Sequence, residues 1–233
     1  MQLFVNDFSP SDSLVQLSPE ESYHAAQVLR MRIGELIHLT DGKGNLVKGE
    51  LVQVDAKKTQ VSILEVIPQV IKNSHLHIAI APTKNIDRFE WFLEKATEIG
   101  VAEITPLLCR FSERKEIKLE RLNKVIVAAA KQSHHFTFPI LHPLTKMDQF
   151  VKSMQFENKF IAHCEPTLRN DFSQSVQSLN KVLVIIGPEG DFSEQEIELA
   201  LQHSFKPVSL GNYRLRTETA GVYACAVFNA MHP

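Results

Sequence analysis

Apolar positions in the first seventy residues fall in short extended runs. Gln2–Val5 and Leu14–Leu17 read as strands, separated by the Ser/Pro/Asp cluster Ser9–Ser13. Ser18-Pro19-Glu20-Glu21 then has the grammar of a helix start: serine as cap, proline in the first turn, glutamate three residues on. Tyr23, Ala26, Val28 and Leu29 would supply the buried side of this helix, and Gly34 its stop. Glu35–Thr40, Leu46–Val54 and Gln60–Ile67 follow as β-rich runs, joined by the turn sequences Asp41-Gly42-Lys43-Gly44-Asn45 and Asp55-Ala56-Lys57-Lys58. One helix with about five short strands predicts a small barrel.

From Ser74 onward the period alternates between strand and helix. Leu76–Ile80 is a strand, and Phe89, Phe92, Leu93, Ala96 and Ile99 recur at helical spacing behind a cap at Asn85 or Asp87, with Gly100 as the stop. Ile104–Leu108, Lys159–Ala162, Lys181–Ile186 and Pro207–Leu210 are further strands. Lys118–Ser133, Ser193–His203 and Thr217–Met231 are further helices. This alternation predicts an α/β domain with a mostly parallel sheet covered on both faces. The change of grammar places a boundary near Pro68–Asn73, giving segments 1–70 and 74–233.

Composition narrows the class. The 233 residues are 44% hydrophobic and 22% charged, which is globular and neither disordered nor fibrous. With 25 basic and 27 acidic residues the net charge is -2, so no global field favours nucleic acid and any such contact must come from a local patch. Cys109, Cys164 and Cys225 stand far apart, which speaks against a disulfide framework and for a reducing compartment. The start MQLFVNDFSP has neither the basic nor the apolar region of a secretory signal, and no apolar run reaches the ~18 residues of a membrane span. A cytoplasmic protein without a membrane partner is expected.

Two loops carry the candidate chemistry. Val182–Ile186 runs straight into Gly187-Pro188-Glu189-Gly190-Asp191-Phe192-Ser193, so an apolar strand ends in a glycine-containing loop that opens a helix. In open α/β sheets ligands sit beyond the carboxyl ends of the strands, and glycines let them approach the main chain. The same residues would also serve as an ordinary tight turn. They form neither a phosphate loop nor a dinucleotide fingerprint. Some twenty residues later Val208-Ser209-Leu210-Gly211-Asn212-Tyr213-Arg214-Leu215-Arg216-Thr217-Glu218-Thr219-Ala220-Gly221 repeats the strand, glycine loop and helix start, with two arginines beside a glutamate. A glutamate in a first helical turn also simply favours the dipole there.

Together, Ile-Gly-Pro-Glu-Gly at 186–190, Leu-Gly at 210–211 and Leu-Arg-Thr-Glu-Thr-Ala at 215–220 resemble the SPOUT superfamily of S-adenosylmethionine methyltransferases. The match is closest to the small-subunit ribosomal RNA methyltransferase E family, which methylates N3 of a uridine in 16S ribosomal RNA. His24, Val28-Leu29-Arg30, Gly34 and Asp41-Gly42-Lys43-Gly44 resemble that family's PUA-like barrel. Lys84, Lys95–Val101 and Pro106-Leu107 resemble the opening of its methyltransferase domain. The resemblance implies an N-terminal PUA-like RNA-binding β-barrel and a C-terminal SPOUT α/β domain, with a trefoil knot at the cofactor site. It also implies a homodimer that acts on the small ribosomal subunit. Carried over by position, the S-adenosylmethionine residues are His163, Glu165, Ile186, Gly187, Pro188, Glu189, Gly190, Leu210, Gly211, Leu215 and Arg216. Glu218 is the candidate base or base-positioning group, and Arg216 the candidate partner of a uracil oxygen or a phosphate.

Three departures from the family pattern stand out: Asp191 where a second glycine is common, Tyr213-Arg214 in place of Arg-Ile, and Lys131-Gln132-Ser133-His134-His135 where Glu-Gln and an arginine are usual. Between Arg110 and Lys131 seven cations face three glutamates, a patch that reads either as a solvated helix face or as an RNA contact. The expected RNA-binding cations are Arg30, Arg32, Lys84, Arg88, Arg110, Arg114 and Lys131. His75-x-His77 and His134-His135 lack the companion spacing of known zinc sites, and methyl transfer from a sulfonium needs no metal, so no metal is expected. A non-catalytic RNA-binding assembly factor, or a related methyltransferase acting on another RNA such as transfer RNA, are the competing readings.

Overall fold

A computed structural model describes residues 2–69, 74–164 and 170–232. It divides into two compact units, Met1–Ile71 with Ala130–Phe138, and Lys72–Ala129 with Pro139–Pro233. The first unit therefore takes in a short stretch that lies, by sequence, within the second segment.

In the first unit β1 (Leu3–Val5), β2 (Leu14–Gln16), α1 (Pro19–Tyr23), β3 (Leu36–Thr40), β4 (Leu46–Gln53) and β5 (Gln60–Ile67) follow the predicted order. The sheet order is β1-β3-β4-β5-β2, antiparallel except for the β1–β3 pair. Asn6 ties the free edges of β1 and β2, donating to Gln16 O at 3.2 Å and accepting from Ser18 N–H at 2.7 Å. Phe4, Leu17, Ile37, Leu39, Leu51 and Val61 fill the interior.

The Ser18 cap forms, with its hydroxyl accepting the Glu21 N–H at 3.2 Å, but the helical face differs from the expected one. Residues His24–Val28 continue α1 as a π-helix, and the chain leaves it at Arg30 with φ of 53° rather than at Gly34. The wider turn changes the phase, so Tyr23 and Val28 are exposed while Glu21, Ser22 and Ala25 face inward. Glu21 is buried because it is paired: Lys131 Nζ sits 2.6 Å from its Oε1, and over the Phe4 ring. Phe136 and Phe138 pair by backbone with Gly44 and Gly42, which seats the 130–138 stretch against the 41–45 turn.

The second unit runs β6 (His75–Ile80), α2 (Ile86–Ile99), β7 (Glu103–Leu108), α3 (Leu119–Ser133), β8 (Ile140–Leu141), β9 (Thr145–Lys146), α4 (Met147–Ser153), β10 (Lys159–Ala162), β11 (Asn170–Asp171), α5 (Phe172–Val176), β12 (Lys181–Ile186), α6 (Glu194–Gln202), β13 (Lys206–Ser209) and α7 (Thr217–Met231). The last residues of α3 belong to the first unit. The short elements β8, β9, β11, α4 and α5 were not expected, because two-residue strands and one- or two-turn helices show no period. The sheet is parallel throughout, in the order β11-β13-β10-β12-β6-β7-β8, with β9 also on β7. Its central strands are apolar on both faces, as a sheet covered by helices requires. Asn85 caps α2, and Gly100 ends it in the left-handed conformation, at φ of 108°.

Two polar side chains, His77 on β6 and Thr105 on β7, are embedded in this sheet. His77 is 2% exposed, and burial lowers its pKa to about 4, so the imidazole is neutral near neutral pH. Helix α7 packs on α2, where Gly221 leaves no room for a side chain: a Cβ would stand 2.5 Å from the Phe92 ring and 2.9 Å from Ile80 Cδ1. Both neighbours are fully buried and cannot swing away. Gly221→Ala is expected to cost about 1–3 kcal/mol of overpacking strain, read as a lower urea midpoint at unchanged slope.

Candidate functional site

The parallel pairing of β10 with β12 on one side and β13 on the other brings three strand ends together. The loops that follow these strands and the first turn of α7 line a cavity of about 400 Å³, within the range of roughly 300–1,000 Å³ typical of small-molecule pockets. Ala162, His163 and Cys164 come from the first loop, Ile186, Gly187, Pro188, Glu189 and Asp191 from the second, and Val208 through Gly211 with Tyr213 through Leu215 from the third. Arg216, Thr217, Glu218 and Ala220 close one side, and Arg88 of α2 another.

Local chemistry holds these loops in place. Thr217 donates its hydroxyl to Gly187 O at 3.1 Å, which fastens the start of α7 to the second loop. Glu189 accepts the Lys84 N–H at 2.9 Å and so ties that loop to the chain after β6. Asp191 accepts the Cys164 N–H at 2.7 Å through one carboxylate oxygen and its neighbour's Phe192 N–H at 2.8 Å through the other. Asp191 also has φ of 66°. That left-handed conformation favours glycine, and aspartate is one of the side chains that tolerate it. Gly211, at φ of 112°, has open space around it and is needed for its backbone conformation alone.

Of the expected cofactor residues, His163, Ile186, Gly187, Pro188, Glu189, Leu210, Gly211, Leu215 and Arg216 line the cavity. Glu165 lies outside the described residues. Gly190 is not among the residues that line the cavity, and a Cβ on it would stand 3.1 Å from Phe111 Cβ. Asp191, Ser209 and Thr217, inside the two candidate loops but not among the cofactor residues carried over by position, also line the cavity.

Glu218 is 6% exposed, and its Oε2 has no hydrogen-bond partner among the described residues. Its Oε1 lies 4.0 Å from Arg88 Nε, so a buried carboxylate in the cavity wall has a cationic neighbour and a free oxygen. Burying a carboxylate oxygen without a partner is costly, and a ligand hydrogen-bond donor would relieve it. Arg216, at the start of α7, is exposed at the rim.

The remaining expected cations divide by partner. Arg88 faces the cavity. Lys84 pairs with Glu113 at 2.7 Å, which raises its pKa. Arg110 reaches Gln195 at 3.1 Å, and Arg114 donates to Thr83 O and Lys84 O at 3.1 and 2.7 Å, a loop-bracing role. Lys131 pairs with Glu21 within the first unit. Arg30 and Arg32 are exposed there, and Lys118 and Lys124 are exposed on and beside α3.

Cys164 is the one exposed thiol in the chain's three cysteines. Burial pushes the Cys109 thiol up and the Cys225 thiol up to about 12, so neither supplies thiolate at neutral pH. Iodoacetamide on the native protein is expected to modify Cys164 alone, read by peptide mass spectrometry. All three should react after denaturation.

Residues 71–229 match the RNA methyltransferase domain family, and residues 17–64 the RNA methyltransferase PUA domain family. The ribosomal RNA small subunit methyltransferase E of Bacillus subtilis is 31% identical over 91% of this chain and 88% of its own. The crystal structure of a probable rRNA-methyltransferase from Porphyromonas gingivalis superposes with a TM-score of 0.91 at 36% identity, covering 100% of this chain and 98% of that one. The ribosomal RNA small subunit methyltransferase E of Neisseria gonorrhoeae, bound to S-adenosyl methionine, superposes with a TM-score of 0.84 at 26% identity, covering 97% and 96%.

Proposed function

The chain belongs to the ribosomal RNA small subunit methyltransferase E family, and from that premise we propose that it transfers the methyl group of S-adenosylmethionine to N3 of a uridine in 16S ribosomal RNA. The observation that carries this reading is the cavity at the carboxyl ends of β10, β12 and β13, walled by main chain and by one buried carboxylate with a free oxygen. Similarity to ribosomal RNA methyltransferases runs through both units, which favours it over a non-catalytic assembly factor or a transfer RNA enzyme.

The residues present fit the cofactor. Gly187 and Gly211 line the cavity, and the peptide groups after β12 and β13 can pair with an adenine edge without charge. When bound, S-adenosylmethionine supplies an electrophilic methyl on a sulfonium. What the protein adds is alignment, since a fixed near-attack geometry removes much of the entropic barrier. Uridine N3 carries a proton, and Glu218 is the group placed to accept it or to position the base. Arg216 at the rim is placed to stabilise charge that develops on a uracil oxygen, and Arg88 to hold the Glu218 carboxylate in orientation.

A trefoil knot at the cofactor loops, as in the family, belongs to the same proposal, and so do a homodimer and a cytoplasmic location; among the described residues no helix is long and apolar enough to cross a membrane. For RNA phosphates, exposed cations include Arg30 and Arg32 in the first unit, and Arg110, Lys118 and Lys124 in the second.

The deciding experiment is tritium transfer from labelled S-adenosylmethionine to small ribosomal subunits that lack the modification, followed by nucleoside mass spectrometry. The expected product is 3-methyluridine; no transfer, or a methyl on another atom, would overturn the assignment. Glu218→Gln is expected to lower kcat by about 100-fold or more, the low end of general-base contributions, with cofactor affinity unchanged in calorimetry. Activity within about threefold of the parent would remove Glu218 from the base role.

A further inference from the structure

At the amino-terminal ends of β6 and β7, the end of the sheet away from the cavity, strand register gathers three imidazoles and a carboxylate. His75 and His77 share one face of β6 by the two-residue strand period. His77 stands beside Glu103 in register, and His142 follows β8, whose Ile140 pairs with Glu103. Glu103 Oε2 lies 2.6 Å from His142 Nε2 and 3.8 Å from His77 Nδ1, and its Oε1 lies 2.8 Å from His75 Nε2. Donor atoms of His77, Glu103 and His142 all fall within 4.8 Å of one another. A tetrahedral zinc with bonds of about 2.0–2.2 Å holds its donors roughly 3.3–3.5 Å apart, so adjustments on the order of 1 Å would close the set.

His77 supplies a second and separate indication. Its ring is buried, and Nδ1 has no hydrogen-bond partner, an arrangement that burial ordinarily penalises. Its other nitrogen lies 2.8 Å from Thr105 Oγ1. That is the outer hydrogen bond that orients a metal-ligating imidazole and leaves the opposite lone pair for the ion. Phe150 and Phe156 pack edge-on against the ring and fix it further. His75, Glu103 and His142 remain 33%, 21% and 36% exposed, so an ion has a way in from solvent.

We propose that His77 Nδ1, Glu103 Oε2 and His142 Nε2, with water completing the set and His75 Nε2 holding the other Glu103 oxygen, form a structural site for a divalent ion of borderline softness, zinc in the first instance. Imidazole with one carboxylate suits zinc over calcium or magnesium, which take oxygen ligands. On binding, the proton that His142 Nε2 shares with Glu103 moves through water to Nδ1 of the same exposed ring, and nothing is oxidised or reduced. The ion would clip three neighbouring strands at the end of the sheet remote from methyl transfer, so its effect would fall on stability.

The test uses the full chain after dialysis against chelator. Zinc is added in calorimetry and thermal unfolding, and cobalt(II) in visible absorption. Expected are one ion per chain, a raised Tm, and a tetrahedral cobalt spectrum without thiolate charge transfer. His142→Ala and Glu103→Gln are each expected to weaken zinc binding at least about 10-fold, while S-adenosylmethionine binding, which reports the fold, stays within about twofold of the parent. Absence of binding by the parent chain, equal binding by the His142→Ala protein, or a cobalt–thiolate band that assigns the ion to a cysteine would each overturn the proposal.

Discussion

The position of β10 between β12 and β13 is the constraint on which the rest of the second unit depends. Parallel strands all run the same way, so the loops that leave β10, β12 and β13 start at the same end of the sheet. Because β10 pairs in register with both neighbours over Phe160–Ala162, the three loops start level with one another. Their main-chain groups, unpaired once the ladders end, must find partners or face a ligand. The cavity is therefore a consequence of strand order, and the side chains refine it.

That refinement is mostly polar clamping between segments far apart in the chain. Thr217 to Gly187, Lys84 to Glu189 and Cys164 to Asp191 each join two different crossovers. A bond to a charged acceptor is worth about 1.5–3 kcal/mol, enough to hold a loop in one geometry without a large apolar contact. Glu218 is the exception, a buried carboxylate that the structure leaves half satisfied. It sits in the first turn of α7, where the helix dipole favours its charge, and next to Arg88.

The cations show how composition and structure diverge. Seven basic residues between 110 and 131 look like one patch in the chain, but Arg114 braces carbonyls, Arg121 pairs with Glu90 at 2.9 Å and Lys131 pairs with Glu21. Charge counted along a sequence overstates the field available to a phosphate, because partners arrive from remote segments.

What the sequence determined by itself is what local physics encodes. The strands flanking each glycine loop, the Ser18 and Asn85 caps, the Gly100 stop and the whole of α7 follow from periodicity and cap chemistry within a few residues. The loop motifs at 186–190 and 210–220 were legible for the same reason, since each is a contiguous strand end and helix start. The tertiary structure alone decided the outward turn of Tyr23 and Val28, where a π-helix changed the phase, and the turning of Gly190 toward Phe111. It alone decided the burial of Glu21 by Lys131, and the meeting of His77, Glu103 and His142. These join residues tens to more than a hundred positions apart, and no period within a segment reports which distant strand will be its neighbour. That choice is made by sheet order, which sets the pairings only when the whole chain has folded.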